Sequence, residues 1–165
     1  MPLPLIIKSD SYIANMTVEE YIQYRTGETE IPLIIRNMFF KPFVSSSFRS
    51  FWNYWNPGYG YFLLFYCYKP MRNIFPHSIS LIITFLICGL LHDILYIFPI
   101  TIVDGVRFIF PFISVWFLII AVGILITEYF QITFRKTKKT IRPIFHLGYL
   151  FGTFFLTRNL DLWIG

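Results

Sequence analysis

Apolar and polar positions along this 165-residue chain fall into two regimes. Up to residue 47, short apolar patches (Leu3–Ile7, Ile31–Ile35) alternate with charged turns such as Arg25–Glu30. Beyond residue 47, long apolar runs are separated by brief polar breaks. Three of these runs, 78–100, 106–130 and 144–162, match the length of about 20 residues that a helix needs to cross a hydrocarbon core. The third is the weakest, because Arg158 and Asp161 shorten its apolar stretch. The pattern predicts an N-terminal interfacial region over 1–47 and a membrane domain with about three spans over 48–165.

Local signals refine the shorter elements. Thr17 followed by Glu20 is a capping-box signature ahead of Tyr21, Ile22 and Tyr24, so an amphipathic helix lying on the membrane is expected there. Ser45–Ser47 offer caps for a helix through Phe48, Phe51, Trp52 and Trp55, and Pro57-Gly58 breaks it. The next apolar stretch, Tyr59–Tyr68, is too short to cross as a helix and predicts an interfacial or re-entrant segment forming a pocket wall.

Composition sets the solvent. With 56% hydrophobic residues, 14% charged residues and a mean hydropathy of +0.59, the chain reads as an all-α membrane protein. Aromatic residues make up 21%, more than an interfacial belt of Trp and Tyr requires, so many rings pack between helices or line an apolar tunnel. The two cysteines, Cys67 and Cys88, sit in apolar stretches without a metal-ligand or disulfide spacing. The N-terminal MPLPLIIKSD is unlike a cleaved signal peptide.

Charge adds orientation. Arg135, Lys136, Lys138, Lys139 and Arg142 crowd the break between the second and third runs, and their five charges equal the formal net charge of +5. Lys69 and Arg72 precede the first run. Two spans separate the clusters, so both are expected on the cytoplasmic side with the N-terminal region and the 131–143 loop, and the C-terminus opposite. Attraction to anionic headgroups accompanies that arrangement. Nucleic-acid binding is excluded, since no further basic groove or helix face is present.

Candidate chemistry centres on CGLLHDILY, residues 88–96. An ionisable His92-Asp93 pair inside a membrane-length run is expensive unless it faces protein or water, and so marks a functional site. A neutral imidazole suits a general base near neutral pH, and Tyr96 lies one turn beyond His92. The alternative for His92 is a buried histidine bonding a neighbouring helix. Asp93 points about 100 degrees away and would orient another group or meet a cation. The Asn56 carboxamide offers donors to an oxyanion, or else satisfies its own local backbone before the Pro-Gly turn.

These residues resemble a family. The pattern F-W-x-x-W-N at 51–56, an aromatic stretch closing on Y-K-P-M-R at 68–72, and a helix carrying G-L-L-H-D at 89–93 is similar to the membrane-bound O-acyltransferases. The nearest branch contains wax synthases and diacylglycerol or sterol acyltransferases. The separation of 36 residues (92 minus 56) agrees with that family's spacing, and Asn at the first position points to the lipid-acylating branch.

The resemblance implies acyl-CoA as co-substrate and no metal. His92 would deprotonate an acceptor hydroxyl and Asn56 would hold the thioester or its oxyanion. Trp52, Trp55 and Tyr59 would shape the tunnel, with Lys69 and Arg72 at its mouth and Asp93 and Tyr96 beside His92. Family members run to several hundred residues with eight or more spans, so the resemblance covers a C-terminal catalytic portion. Lipids and further subunits, either copies of this chain or others, are the expected partners. The alternative is a non-catalytic small subunit of a larger membrane complex.

Overall fold

The computed structural model describes residues 16–97 and 111–164, and every regular element among them is helical. The N-terminal elements are α1 (Val18–Thr26), α2 (Ile31–Val44), α3 (Phe48–Tyr54) and α4 (Pro57–Phe62). A π-helical stretch, Leu63–Tyr68, leads from α4 into the short α5 (Lys69–Arg72). The long elements are α6 (His77–His92), continued by a π-helical turn Asp93–Ile97, then α7 (Phe112–Tyr129) and α8 (Arg142–Ile164).

The short helices begin where side chains can satisfy orphan backbone N–H groups. At α1, Thr17 Oγ1 accepts from Glu20 N at 3.2 Å while Glu20 Oε2 accepts from Thr17 N at 2.8 Å, the reciprocal arrangement expected from the Thr17/Glu20 spacing. Gly27, in the left-handed region at φ 70°, closes α1. Asn37 Nδ2 then donates to Thr26 O at 3.0 Å, tying α2 to the end of α1. Ser47 and Ser50 cap each other's backbone at the start of α3, at 3.1 and 2.9 Å.

The helix through Trp52 ends at Tyr54, and the break falls on Asn56, one residue before the Pro57-Gly58 pair. From Pro57 to Arg72 the chain is helical throughout, with Phe62 and Tyr66 turned outward at 50% and 70% exposure. The expected pocket wall is therefore a helix with a π-helical stretch, and the irregular backbone shrinks to Trp55-Asn56.

Two helices, His77–Leu95 and Phe112–Tyr129, are long and apolar enough to cross a membrane, each with a mean hydropathy of 2.1. Only about a third or less of each lies inside the protein, 28% and 33%. Residues 98–100 and 106–110 of the two expected spans lie outside the described residues. The expected span 144–162 falls within α8, at 23 residues the longest helix among the described residues. Its polar positions, including Arg158, Asn159 and Asp161, keep it below the apolarity of the other two. Arg158 and Asp161 face each other one turn apart as an ion pair.

α6 and α7 run antiparallel and form the tightest seam in the molecule. A methyl group added to Gly89 would sit 2.5 Å from Ser114 Cα, so only a glycine lets the two backbones approach this closely. One turn later the fully buried Asp93 carboxylate accepts from Ile113 N (2.7 Å), Ser114 N (2.8 Å) and Ser114 Oγ (2.7 Å). Pro111, the residue before α7, has no side-chain cap to offer. Asp93 therefore caps α7 from another helix and places a negative charge at its positive end.

α8 joins the seam through polar contacts to α7. Tyr149 Oη donates to Ile120 O at 2.6 Å and Trp116 Nε1 donates to Thr153 Oγ1 at 3.0 Å. Its far face presents Phe151, Phe155 and Trp163 at 68%, 71% and 88% exposure.

Removing the Asp93 carboxylate leaves two backbone donors without a partner at a buried helix start. Asp93→Ala is expected to lower unfolding stability by about 2 kcal/mol, and Asp93→Asn, which keeps one acceptor, by less. Denaturant titration of the detergent-solubilised protein followed by circular dichroism measures both; a loss for Asp93→Ala below about 0.5 kcal/mol contradicts the capping role.

Candidate functional site

A cavity of about 210 Å³ lies where α3, α4 and the π-helical stretch cover the α6–α7 seam. Trp52, Trp55, Asn56, Tyr59 and His92 all contribute to its wall. Along α6 the lining runs from Leu81 to His92, a length of about 16 Å at 1.5 Å per residue. Phe85, Cys88, Phe117 and Leu63 make the walls apolar, while Arg25 and Arg49 contribute the cations.

α3 positions the aromatic residues. Its Trp52 ring meets Phe85 of α6 edge-on at 5.4 Å and Phe117 of α7 at 5.8 Å. Phe51, the buried residue of the same helix, stacks on Trp55 at 5.6 Å and holds it at the cavity's edge. Such edge-on and offset arrangements suit the ring quadrupoles and fix orientation as well as burying area.

His92 is the last residue of α6, where the helix widens into its π-helical turn. Its Nδ1 lies 2.7 Å from Cys88 O, so Nδ1 carries the hydrogen that a carbonyl accepts. In the neutral ring the lone pair then belongs to Nε2, the tautomer a general base requires. Tyr59 packs edge-on against the imidazole at 5.9 Å and Phe117 lies at 5.5 Å. Tyr59 also packs against the core cluster that contains Cys88, so the α4 wall meets α6 next to His92. π-helical turns recur where a helix must re-aim a functional side chain. Here the turn lets consecutive residues serve different partners, His92 at the cavity and Asp93 at the α7 cap.

Asn56 occupies the left-handed region at φ 41° and ψ 69°. Its Oδ1 accepts from Tyr59 N at 3.2 Å and so caps α4. That cap uses the oxygen side of the carboxamide and fixes its orientation, with the side chain exposed at the cavity.

The remaining expected site residues lie elsewhere. Asp93 does not line the cavity: its carboxylate is consumed by the α7 cap. Lys69 sits over the Phe65 ring at 4.0 Å, and Arg72 Nη1 donates to Phe75 O at 2.8 Å; neither reaches the cavity wall. The Tyr96 side chain lies outside the described residues. Among the described residues no three His, Cys, Asp or Glu side chains converge as a metal site would.

Sequence reasoning missed a polar cluster at the opposite end of the seam. Glu128, near the end of α7, accepts from Arg49 of α3 at 2.5 Å and meets His77 Nε2 at 3.1 Å. The other His77 nitrogen lies 2.7 Å from Tyr68 Oη. Four elements are thereby joined, and Arg49 and Tyr68 also line the cavity. The signal in the sequence was Glu128 itself, the one acidic residue in α7. Its partners stand 79 and 51 positions away.

Comparison with protein-family models, with curated proteins and with solved structures gives no match to this chain. The site is therefore read from its own geometry.

Trp52 packs on Phe85 and Phe117 and against the cluster that buries Cys88. In a Cys67→Ser background, Trp52→Ala is expected to speed alkylation of Cys88 by a small apolar thiol reagent several-fold, as followed by intact mass. An unchanged rate means that Trp52 does not gate this wall.

Proposed function

We propose that this chain is a membrane O-acyltransferase-like module that transfers an acyl group from acyl-CoA to the hydroxyl of a lipid or similar acceptor. The observation that carries the reading is the meeting of Asn56 and His92, 36 residues apart in sequence, on the wall of one elongated apolar cavity. That cavity has the character an acyl chain requires: aromatic and aliphatic sides, with the polar Asn56 and His92 and the cations Arg25 and Arg49 among its lining.

In this reading His92 Nε2 takes the proton from the acceptor hydroxyl as its oxygen attacks the thioester carbonyl. The Asn56 amide, oriented by its α4 cap, donates to the oxyanion that develops. The C–S bond then breaks and the imidazolium returns its proton to the departing CoA sulfur. Trp52, Trp55 and Tyr59 enclose the chain. Arg25 and Arg49 take the place on the rim that the sequence pattern gives to Lys69 and Arg72.

The same reading puts α6, α7 and the longer α8 across the bilayer. The N-terminal region and the 131–143 loop lie on the cytoplasmic side, in keeping with the basic loop, and the C-terminus lies opposite. Membrane lipids and further subunits cover the outward faces. Three helices enclose little volume, and the cavity is small for two substrates, so a second copy or another chain completes the walls.

A second reading, a non-catalytic subunit of a larger membrane complex, is favoured by the aromatic face of α8. Phe151, Phe155 and Trp163 are exposed there at the density of a packing surface. Activity separates the two. Protein purified with its natural partners and supplied with acyl-CoA and a long-chain alcohol is expected to release CoA. His92→Ala should lower that rate by about 10²–10⁴-fold and Asn56→Ala by about 10²–10³-fold. Turnover that survives His92→Ala, or its absence in every preparation, removes the enzymatic reading and leaves the structural one.

A further inference from the structure

α3 has two working faces. Trp52, Asn53 and Asn56 beyond it look into the apolar cavity over the seam, whereas Ser50 and Tyr54, together with Ser46 before the helix, line a second and larger cavity of about 750 Å³. Its other walls come from α2 and from the loop ahead of α8.

The lining of this second cavity is basic. Arg36 and Lys41 enter from α2, and Lys139 and Arg142 from the loop and the start of α8. No carboxylate is among the lining residues; Glu28, beside them, hydrogen-bonds Asn37 at 3.3 Å and offsets part of the charge. Asn37, Ser45, Ser46, Ser50 and Tyr54 supply amide and hydroxyl groups.

The four cations are held differently. Arg142 is a fixed strut: it donates to Thr137 O at 3.2 Å, Val44 O at 2.9 Å and Arg135 O at 3.1 Å, which locks the loop against the end of α2. Lys41 reaches Arg25 O at 3.4 Å, and burial pushes its ammonium below the ordinary lysine range. Arg36 and Lys139 are exposed. A concave site with several like charges, hydroxyl donors and little neutralising acid is built to hold an anion with several oxygens.

Position narrows the anion. Ile35, Phe39 and Phe40 on the same helix are exposed at 51%, 58% and 61%, next to Arg36 and Lys41. Apolar side chains beside cations are the pattern of a helix lying at the headgroup level. The loop that supplies Lys139 and Arg142 is also the basic loop that faces the cytoplasmic leaflet in the proposed topology.

We infer that this cavity binds the phosphate of an anionic phospholipid headgroup, with the lipid's chains lying along the apolar flank of α2. The inference rests on the membrane placement of the chain and is independent of acyl transfer. Arg36 and Lys139 would close on the phosphate oxygens, while Arg142 and Lys41 set the potential behind them. Through α3 such a lipid would steady the wall that carries Trp52 and Asn56.

The test reconstitutes the full chain into nanodiscs of phosphatidylcholine with or without phosphatidic acid and counts retained lipid by native mass spectrometry. Incorporation into pure phosphatidylcholine discs tests the membrane placement by itself. The wild type is expected to retain phosphatidic acid selectively. Arg36→Gln and Lys139→Gln, both at exposed positions that leave the Arg142 strut intact, should each weaken that selectivity about five-fold.

The control is Lys138→Gln, the same charge change as Lys139→Gln on the same loop at a position that does not line the cavity. An equal loss in that control shows diffuse attraction to the loop and overturns the site. A parallel titration of detergent-solubilised protein with adenosine 3′,5′-bisphosphate separates the sources of phosphate. Binding of the bisphosphate that depends on Arg36 and Lys139, without lipid selectivity, assigns the cavity to a soluble phosphate and overturns the lipid.

Discussion

The approach of α6 to α7 is the constraint on which the rest of the molecule depends. Two features make it: a glycine that lets backbone meet backbone at Ser114, and a buried carboxylate that caps α7 from the end of α6. Packing between apolar helices gains little from hydrophobic exclusion where the surroundings are themselves apolar, so close contact and directed hydrogen bonds must supply the specificity. Asp93 also settles the relative height of the two helices, because its oxygens reach the first N–H groups of α7 at one register only. His92 and Phe117 come to face each other as a consequence. The far end of the seam is set by Glu128 with His77 and Arg49, so polar groups fix both ends while apolar side chains fill the length between them.

The short helices before α6 act as a lid on this seam. α3 is only seven residues long, yet it buries Phe51, lays Trp52 on Phe85 and Phe117, and sends Arg49 to Glu128. A helix that short has little stability of its own. Its position comes from the aromatic contacts and from the Ser47/Ser50 caps, and the break at Asn56 turns the chain back so that Tyr59 reaches His92. Two cavities on opposite faces of one helix are the direct result: an apolar one against the seam and a basic one against α2. Any change that tilts α3 alters both.

Much of the local structure was legible in the residues. Thr17 and Glu20 named their own helix start because a capping box closes within three positions. Ser47 behaved likewise, and the apolar runs of α6 and α7 declared helices long and apolar enough to cross a membrane. The α8 run was harder to read, since Arg158 and Asp161 count against an apolar segment even though they pair with each other. Of the site, the spacing of Asn56 and His92 suggested a shared pocket, and both residues line one. The resemblance implied Lys69 and Arg72 as the cations at its mouth; Arg25 and Arg49 are the cations that line it.

By itself the sequence determined that the described residues are helical, where the helices after Thr17 and Ser47 start, and which two runs are long and apolar enough to suit a bilayer. These properties depend on neighbours within about one turn and on summed hydropathy, both of which a linear pattern carries. Only the tertiary structure decided that Asp93 caps α7, that Arg49 meets Glu128, and that Asn56 and His92 look into one cavity. Those partners lie 20 to 79 positions apart or sit on different helices, and their meeting is set by how the helices pack, which no periodicity records.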